Sequence, residues 1–381
     1  MLLISLLVCS GVSVCGRTDV LKGKSSTKTK IRKVSITHPG YNNGKPMSRS
    51  LMQVLDVRGH QLEYTMDVDS VACGDGVCEI ITVRLYWDTL GHFSRYVLPT
   101  GGALTKKDHE AFSAADHKKL HAILSDSASS LQYVTMDQVT APDQAMQETD
   151  AITGATPLAQ QDSVVPGAVY TSFTLWHWAN GTAPTIIRTL TEKCCSNEQL
   201  ILYLNTGLEK YQIFAIKQLI TRQLHDQDIL ENVVRQTQQG SVSLVEPAIA
   251  YFKSMATDAE ADVYYRAIER LFASGSEQKR IRYLDSLAVT SQAQAPPPDY
   301  FDRLSGRLSK LETYYEVHRL LNLLEARNPS SAEVTRQVLR LLNQPQFFIA
   351  RRAYYYLKDR PLIAAQRQQM EAFHLKFQDR L

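Results

Sequence analysis

The chain has 381 residues, more than one hydrophobic core usually holds, so two or three domains are expected. Hydrophobic residues make up 44% and charged residues 21%, the balance of an ordinary globular protein. Forty-two basic residues against 39 acidic ones leave a net charge of +3, which argues against nucleic acid or a strongly acidic substrate as the partner.

The opening stretch, "MLLISLLVCSGVSVCGRTDV", is apolar from Leu2 to Val14 and then turns polar. The run is too short to span a bilayer and fits the core of a signal peptide over residues 1–15. No Lys or Arg precedes it. Cys15, followed by Gly16, resembles the acceptor cysteine of a bacterial lipoprotein signal. Val14 departs from the small residue usual before such a cysteine, and Cys9 is the alternative acceptor. The other reading of the run is a buried N-terminal strand. An exported location, periplasmic or outer envelope with an N-terminal membrane anchor, is the expectation.

Residues 16–58 are rich in Lys, Ser, Thr and Gly and read as a flexible basic tether. Its cations, among them Lys28, Lys30, Arg32 and Lys33, fit a solvated linker or an anionic membrane surface. Strand signals begin near Gln61. "QLEYTMDV" alternates, and Ile81, Val83, Leu85 and Trp87 share one face against Thr82 and Arg84. "DTLG" is a turn and "HFSRYVL" a returning strand, so residues 61–98 form an antiparallel meander. Cys73 and Cys78 flank "GDGV". In an exported protein this is a hairpin tip closed by a disulfide. Zinc ribbons and c-type haem are excluded, because neither paired Cys-x-x-Cys knuckles nor Cys-x-x-Cys-His occurs. The adjacent Cys194 and Cys195 fit either a vicinal disulfide or two free thiols.

"TKKDHEAFSAADHKKLHAILSD" reads as a helix with Ala115, Leu120 and Ile123 or Leu124 on its apolar stripe. His117 and His121 stand four apart on it, with His109 nearby. That is a ligand spacing, but no metalloprotease Glu accompanies it, and surface helix positions are the simpler reading. "SLQYVTMDQV" looks extended, residues 141–150 form a polar loop, and "LAQQDSVV" and "GAVYTSFTLWHWANG" are helices parted by Pro166-Gly167. From about Ser196 onward Leu-rich amphipathic segments follow one another with short polar breaks, and strand signals almost vanish. Successive helical hairpins of this length resemble degenerate HEAT-type repeats in an α-solenoid. No strict repeat aligns, so a helical bundle is the other reading. "SQAQAPPPD" at 291–299 is the one clear loop within it.

No G-x-S-x-G, P-loop or dinucleotide fingerprint occurs. The specific motif is Asp150-Ala151-Ile152-Thr153-Gly154-Ala155-Thr156. Five fixed positions of this kind recur by chance in roughly one or two chains per thousand of this length. The pattern resembles the flavinylation motif of the FMN-binding domain family. That family includes the G subunit of Rnf electron-transport complexes and the C subunit of the sodium-pumping NADH:quinone reductase. The resemblance covers about residues 60–185. It implies that a flavin transferase moves FMN from FAD onto Thr156 as a phosphoester, with Asp150 presented to the transferase and Thr153, Gly154 and Ala155 shaping the turn. The residue types suit that chemistry. Thr156 has a hydroxyl, Gly and Ala give clearance, and a helix starting at Pro157 would aim its N–H groups at a phosphate. Thr156 is equally a plain N-cap with proline at N1, and both roles can hold at once. The lipoprotein-like start, the Cys73–Cys78 hairpin and the helical tail depart from the family's minimal domain.

The expected protein is α+β. Residues 59–190 would form an antiparallel-sheet, FMN-binding-like domain, and residues 191–381 an all-α solenoid-like region. Its expected role is that of an exported, membrane-tethered electron carrier rather than a stand-alone catalyst. Its partners would be a flavin transferase and a redox protein or membrane electron-transport complex. The rival reading is a non-redox envelope scaffold whose helical repeats bind a partner protein.

Overall fold

The computed structural model describes residues 27–71, 80–106, 109–135, 162–255, 261–327 and 331–381. The chain divides into two compact units, Met1–Cys195 and Ser196–Leu381.

The first unit is built on five strands: β1 (Lys28–Ile36), β2 (Met47–Leu55), β3 (Gln61–Asp69), β4 (Thr82–Trp87) and β5 (Phe93–Val97). They form an antiparallel meander in the order β1-β2-β3-β4-β5. The alternation read from the sequence sets the faces of β4. Val83, Leu85 and Trp87 are buried while Thr82 and Arg84 are exposed. On the exposed face Arg84 and Arg95 bridge to Asp67 and Glu63 on β3 at 2.6 and 2.7 Å. Among the described residues three longer helices pack with the sheet: α1 (Ala114–Ser125), α2 (Val169–Asn180) and α3 (Ala183–Cys194). The inward residues of the sheet, Tyr64, Met66, Leu85 and Trp87, share one core with Leu120, Leu124, Phe173 and Trp176. The Trp87 indole N–H donates to the Ala179 carbonyl at 2.8 Å. The Thr191 hydroxyl donates to the Thr89 carbonyl at 2.6 Å, so α2 and α3 are both tied to the end of β4. Gly91, in the β4–β5 turn, has φ +86°, and a Cβ there would stand 2.5 Å from the Pro184 carbonyl oxygen. Only glycine satisfies both demands.

Three expectations need correcting. The flexible tether expected over 16–58 gives way, from Lys28 on, to the β1–β2 hairpin. On β2 Leu51, Gln53 and Leu55 are buried at every second position, and β1 buries Ile36 at its end. The cations of β1 lie on an edge strand, where charge blocks pairing with other chains. The helix expected from residue 105 starts only at Ala114, where Ser113 and Asp116 form a capping box. Upstream, Thr105 and Ala111 make an isolated bridge. Leu120, Ile123 and Leu124 are buried as expected, but Ala115 faces solvent. The extended reading of residues 130–139 fails over Ser130–Tyr133, which is a 3-10 turn.

The second unit is helical throughout its described residues. In order these are α4 (Asn197–Leu204), α5 (Glu209–Thr221), α6 (Gln227–Gln239), α7 (Val245–Met255), α8 (Ala261–Ser274), α9 (Glu277–Ala293), α10 (Tyr300–Ser305), α11 (Tyr314–Arg327), α12 (Ala332–Arg340), α13 (Phe347–Leu357) and α14 (Ala364–Phe377). Helices α5, α7, α9, α11 and α13 pack one on the next in a row. In a second row α4 packs on α6, α6 on α8, and α10 on α12. Ion pairs cross between successive members: Arg270 to Glu231 at 2.7 Å, Arg282 to Glu246 at 3.4 Å and Arg303 to Glu269 at 3.3 Å. Their partners stand 39, 36 and 34 residues apart, one helical hairpin each. Exposed pairs of this kind contribute at most about 1 kcal/mol apiece, so the row is held by its buried Leu, Tyr and Phe residues.

One cation is used differently. Lys279, only 7% exposed, puts its Nζ on the carbonyls of Thr237, Gln238 and Gly240 at 2.8, 3.1 and 2.7 Å. It thus closes the C-terminus of α6, where carbonyls lack intrahelical donors and the helix dipole is negative. Lys279→Met keeps the stem and removes these donors. The expected loss is about 3 kcal/mol, read from urea unfolding of the full chain by far-UV ellipticity. A loss below about 1 kcal/mol would mean that water satisfies those carbonyls equally well.

Candidate functional site

The motif residues Asp150, Thr153, Gly154, Ala155 and Thr156 lie outside the described residues, as do Cys73, Cys78 and Cys15. What the structure places is the frame on either side of the motif segment. On its N-terminal side, Leu131 of the 3-10 turn is buried in the core. On its C-terminal side, Val164 and Val165 enter the same core. The Ser130 and Ser163 hydroxyls meet at 3.0 Å. The two described flanks of the segment carrying Thr156 therefore meet at one place. From there the chain runs directly into α2. The Val165 N–H donates to the Ser172 hydroxyl at 2.9 Å, and that hydroxyl donates to the Ala168 carbonyl at 2.9 Å, so the entry to α2 is braced from within.

The aromatic density of residues 170–178 is resolved by this packing. Phe173, Trp176 and Trp178 are buried. The Trp176 indole donates to the Asp126 carbonyl at 2.9 Å, joining α2 to the end of α1. Tyr170, in the first turn of α2, keeps 39% of its surface exposed, and Tyr133, just before the motif segment, 80%.

Beneath α2 lies a cluster that the sequence reading placed in the tether and so missed. His38, in the turn after β1, is fully buried. Its ring lies 4.4 Å from Trp178, 4.9 Å from Tyr41 and 5.8 Å from His177 between centroids. The Gly40 N–H donates to His38 Nδ1 at 3.0 Å, and His38 Nε2 stands 3.0 Å from the Thr174 carbonyl. A ring that accepts at Nδ1 and donates from Nε2 is neutral. Burial first, then the nearby His177 and Arg49, bring its pKa down to about 4, against the pull of the Thr174 carbonyl. Burial also lowers His177 to about 4, with the Leu131 carbonyl opposing. Arg49 stacks over the Trp178 ring at 5.0 Å and bridges to Asp69 at 3.8 Å. The cluster locks the β1–β2 turn to the helix that follows the motif. The signal that could have revealed the hairpin carrying it was the period-two pattern of Leu51, Gln53 and Leu55.

The other histidines are structural links. His117 Nδ1 meets the Tyr96 hydroxyl at 2.7 Å and His121 Nε2 the Ser94 carbonyl at 3.1 Å, fastening α1 to β5. Among the described residues no group of His, Cys, Asp and Glu could hold a metal ion. Cys194 is exposed and Cys195 buried, and the Arg32 guanidinium lies 3.7 Å from the Cys194 sulfur. Among the described residues no helix is long and apolar enough to cross a membrane.

No family model, no curated protein and no solved structure matches this chain.

Proposed function

We propose that the protein is an exported, membrane-tethered electron-transfer flavoprotein that carries FMN covalently on Thr156. The observation that carries this reading is the Asp150-x-x-Thr153-Gly154-Ala155-Thr156 spacing. The α+β architecture of the first unit and the meeting of the segment's two flanks at Ser130 and Ser163 support it. FAD is FMN joined to AMP. Transfer would join the Thr156 hydroxyl oxygen to the FMN phosphate, release AMP, and pass the hydroxyl proton to a base of the transferase. Bound FMN would supply one- and two-electron chemistry. This chain's own contribution would be attachment, through Thr156, and exposure of the ring. Tyr133 and Tyr170 offer exposed aromatic faces on the two flanks of the segment.

The stacked helical hairpins of the second unit suit a HEAT-like solenoid, a shape that presents an extended surface to another protein. In the flavoprotein reading that surface docks the electron donor or acceptor. In the rival reading, a non-redox envelope scaffold, docking is the whole function.

Labelling separates the two. The full chain, co-produced in exported form with a flavin transferase and then denatured, is expected to give a flavin-fluorescent gel band. Thr156→Ala should abolish the fluorescence, and Asp150→Asn should weaken it. A dark wild-type band beside a labelled control acceptor would leave the scaffold reading. Fluorescence persisting in Thr156→Ala would move the bond to another residue.

A further inference from the structure

The second unit carries an open groove of about 460 Å³. Its walls are Gln238 of α6, Arg266, Glu269, Arg270 and Ala273 of α8, and Arg307, which follows α10. Three guanidiniums therefore border it against one carboxylate, and what each already holds decides what the groove can take.

Arg270 grips Glu231 of α6 with both terminal nitrogens, at 2.7 and 2.8 Å. Glu269 accepts from Arg303 of α10 at 3.4 and 3.3 Å. Those two are engaged. Arg266 is held only by Asp262, one turn earlier on the same helix, at 3.0 Å. Its side chain is 65% exposed, so water competes for that pair and another anion can displace it. Arg307 is half-buried and makes neither an ion pair nor a side-chain hydrogen bond among the described residues. The groove thus keeps two guanidiniums open to an outside anion, while the one carboxylate in its wall is already paired.

The same row offers further cations. On α6 the exposed Arg235 donates to Asn232 Oδ1 at 2.7 Å, and on α12 the exposed Arg340 donates to Gln337 Oε1 at 3.1 Å. Neither forms an ion pair among the described residues. A guanidinium is weakly hydrated and takes a carboxylate through two parallel N–H bonds. Cations carried on successive helices match negative charge distributed along a chain better than one compact anion, and stacked helical hairpins present such a surface to extended partners.

We propose that this groove docks an acidic segment of a partner protein, an extended stretch with Glu or Asp at alternate positions. One carboxylate of the segment pairs with Arg307, and a second takes Arg266 from Asp262. The inference rests on the docking role of the helical unit, which both functional readings share, and not on flavin attachment.

The probe is acetyl-Ala-Glu-Ala-Glu-Ala-Glu-amide, titrated calorimetrically into the full chain at low salt. Saturable binding is expected, weakened about tenfold or more when the peptide's Glu residues are replaced by Gln. Arg307→Gln should weaken the Glu peptide by a similar factor, with unchanged far-UV ellipticity verifying the fold. Lys217→Gln, which removes an exposed cation from α5 in the other row, should leave binding as it was. No saturation at millimolar peptide would overturn the proposal, as would equal affinity for the Glu and Gln peptides. Equal weakening by Arg307→Gln and Lys217→Gln would show that only net charge matters and refute a site at the groove. Inorganic phosphate displacing the peptide at equal concentration would make this a site for a compact anion and refute segment docking. Labelling of Thr156 is read separately on denatured protein, so failure of one reading leaves the other intact.

Discussion

Glu316→Ala is expected to destabilise the helical unit by about 3–5 kcal/mol, the usual cost of removing one partner of a buried ion pair. Glu316 is fully buried, and its Oε1 lies 2.5 Å from Arg280 Nε. Its other oxygen accepts from the Thr313 N–H at 3.3 Å and the Thr313 hydroxyl at 3.1 Å. The Thr313 hydroxyl in turn accepts from the Glu316 N–H at 3.3 Å. That reciprocal pair is the capping box at the start of α11. One side chain therefore starts α11 and bonds it to Arg280 of α9. Truncation strips the cap and leaves the mostly buried guanidinium with only the Gly275 carbonyl, at 2.6 Å. Urea unfolding by far-UV ellipticity reads the effect. Replacing both partners, Glu316→Leu with Arg280→Met, should recover a large part of the loss, because the uncompensated charge disappears. A single-variant loss under about 1 kcal/mol would show that the pair is solvated in solution.

The second large effect is acid instability of the first unit. His38 and His177 are neutral in the fold, with pKa values near 4 against an ordinary 6.5. Between those values the unfolded chain binds protons that the folded chain does not, so stability rises with pH across that window. It is lost progressively as pH falls from about 6.5 towards 4. Each ring accounts for on the order of 3 kcal/mol at full protonation. Geometry gives the same direction for His38. A proton on Nδ1 would face the Gly40 N–H that now donates to it, and Arg49 nearby adds a like charge. The measurement is favourable, because the chain's three tryptophans, Trp87, Trp176 and Trp178, all lie in this unit. Urea midpoints followed by tryptophan fluorescence should drop steeply between pH 6.5 and 4.5. His177→Phe, which suits a ring packed 4.3 Å from Phe173, should remove roughly half of the slope. A midpoint independent of pH in that range would contradict the buried, neutral state of both rings.

The sequence alone determined the elements whose pattern is local. Period-two burial in Val83, Leu85 and Trp87 marked a strand, and the aromatic run around Phe173 and Trp176 a buried helix, because each side chain's facing follows from neighbours a few residues away. The same holds for the Leu-rich helical tail. The β1–β2 hairpin escaped because its outward residues are cationic and polar, and its few inward ones, Ile36, Leu51 and Leu55, prove a strand only once β3 lies beside them. Tertiary structure alone paired His38 with a carbonyl 136 residues away, aimed Lys279 at carbonyls about 40 residues back, and left Arg327 Nε without a partner. A histidine or lysine in sequence is by default a solvated surface residue. It becomes a buried lock or a helix cap only when chain closure removes its water and supplies a particular acceptor, and no local periodicity encodes that.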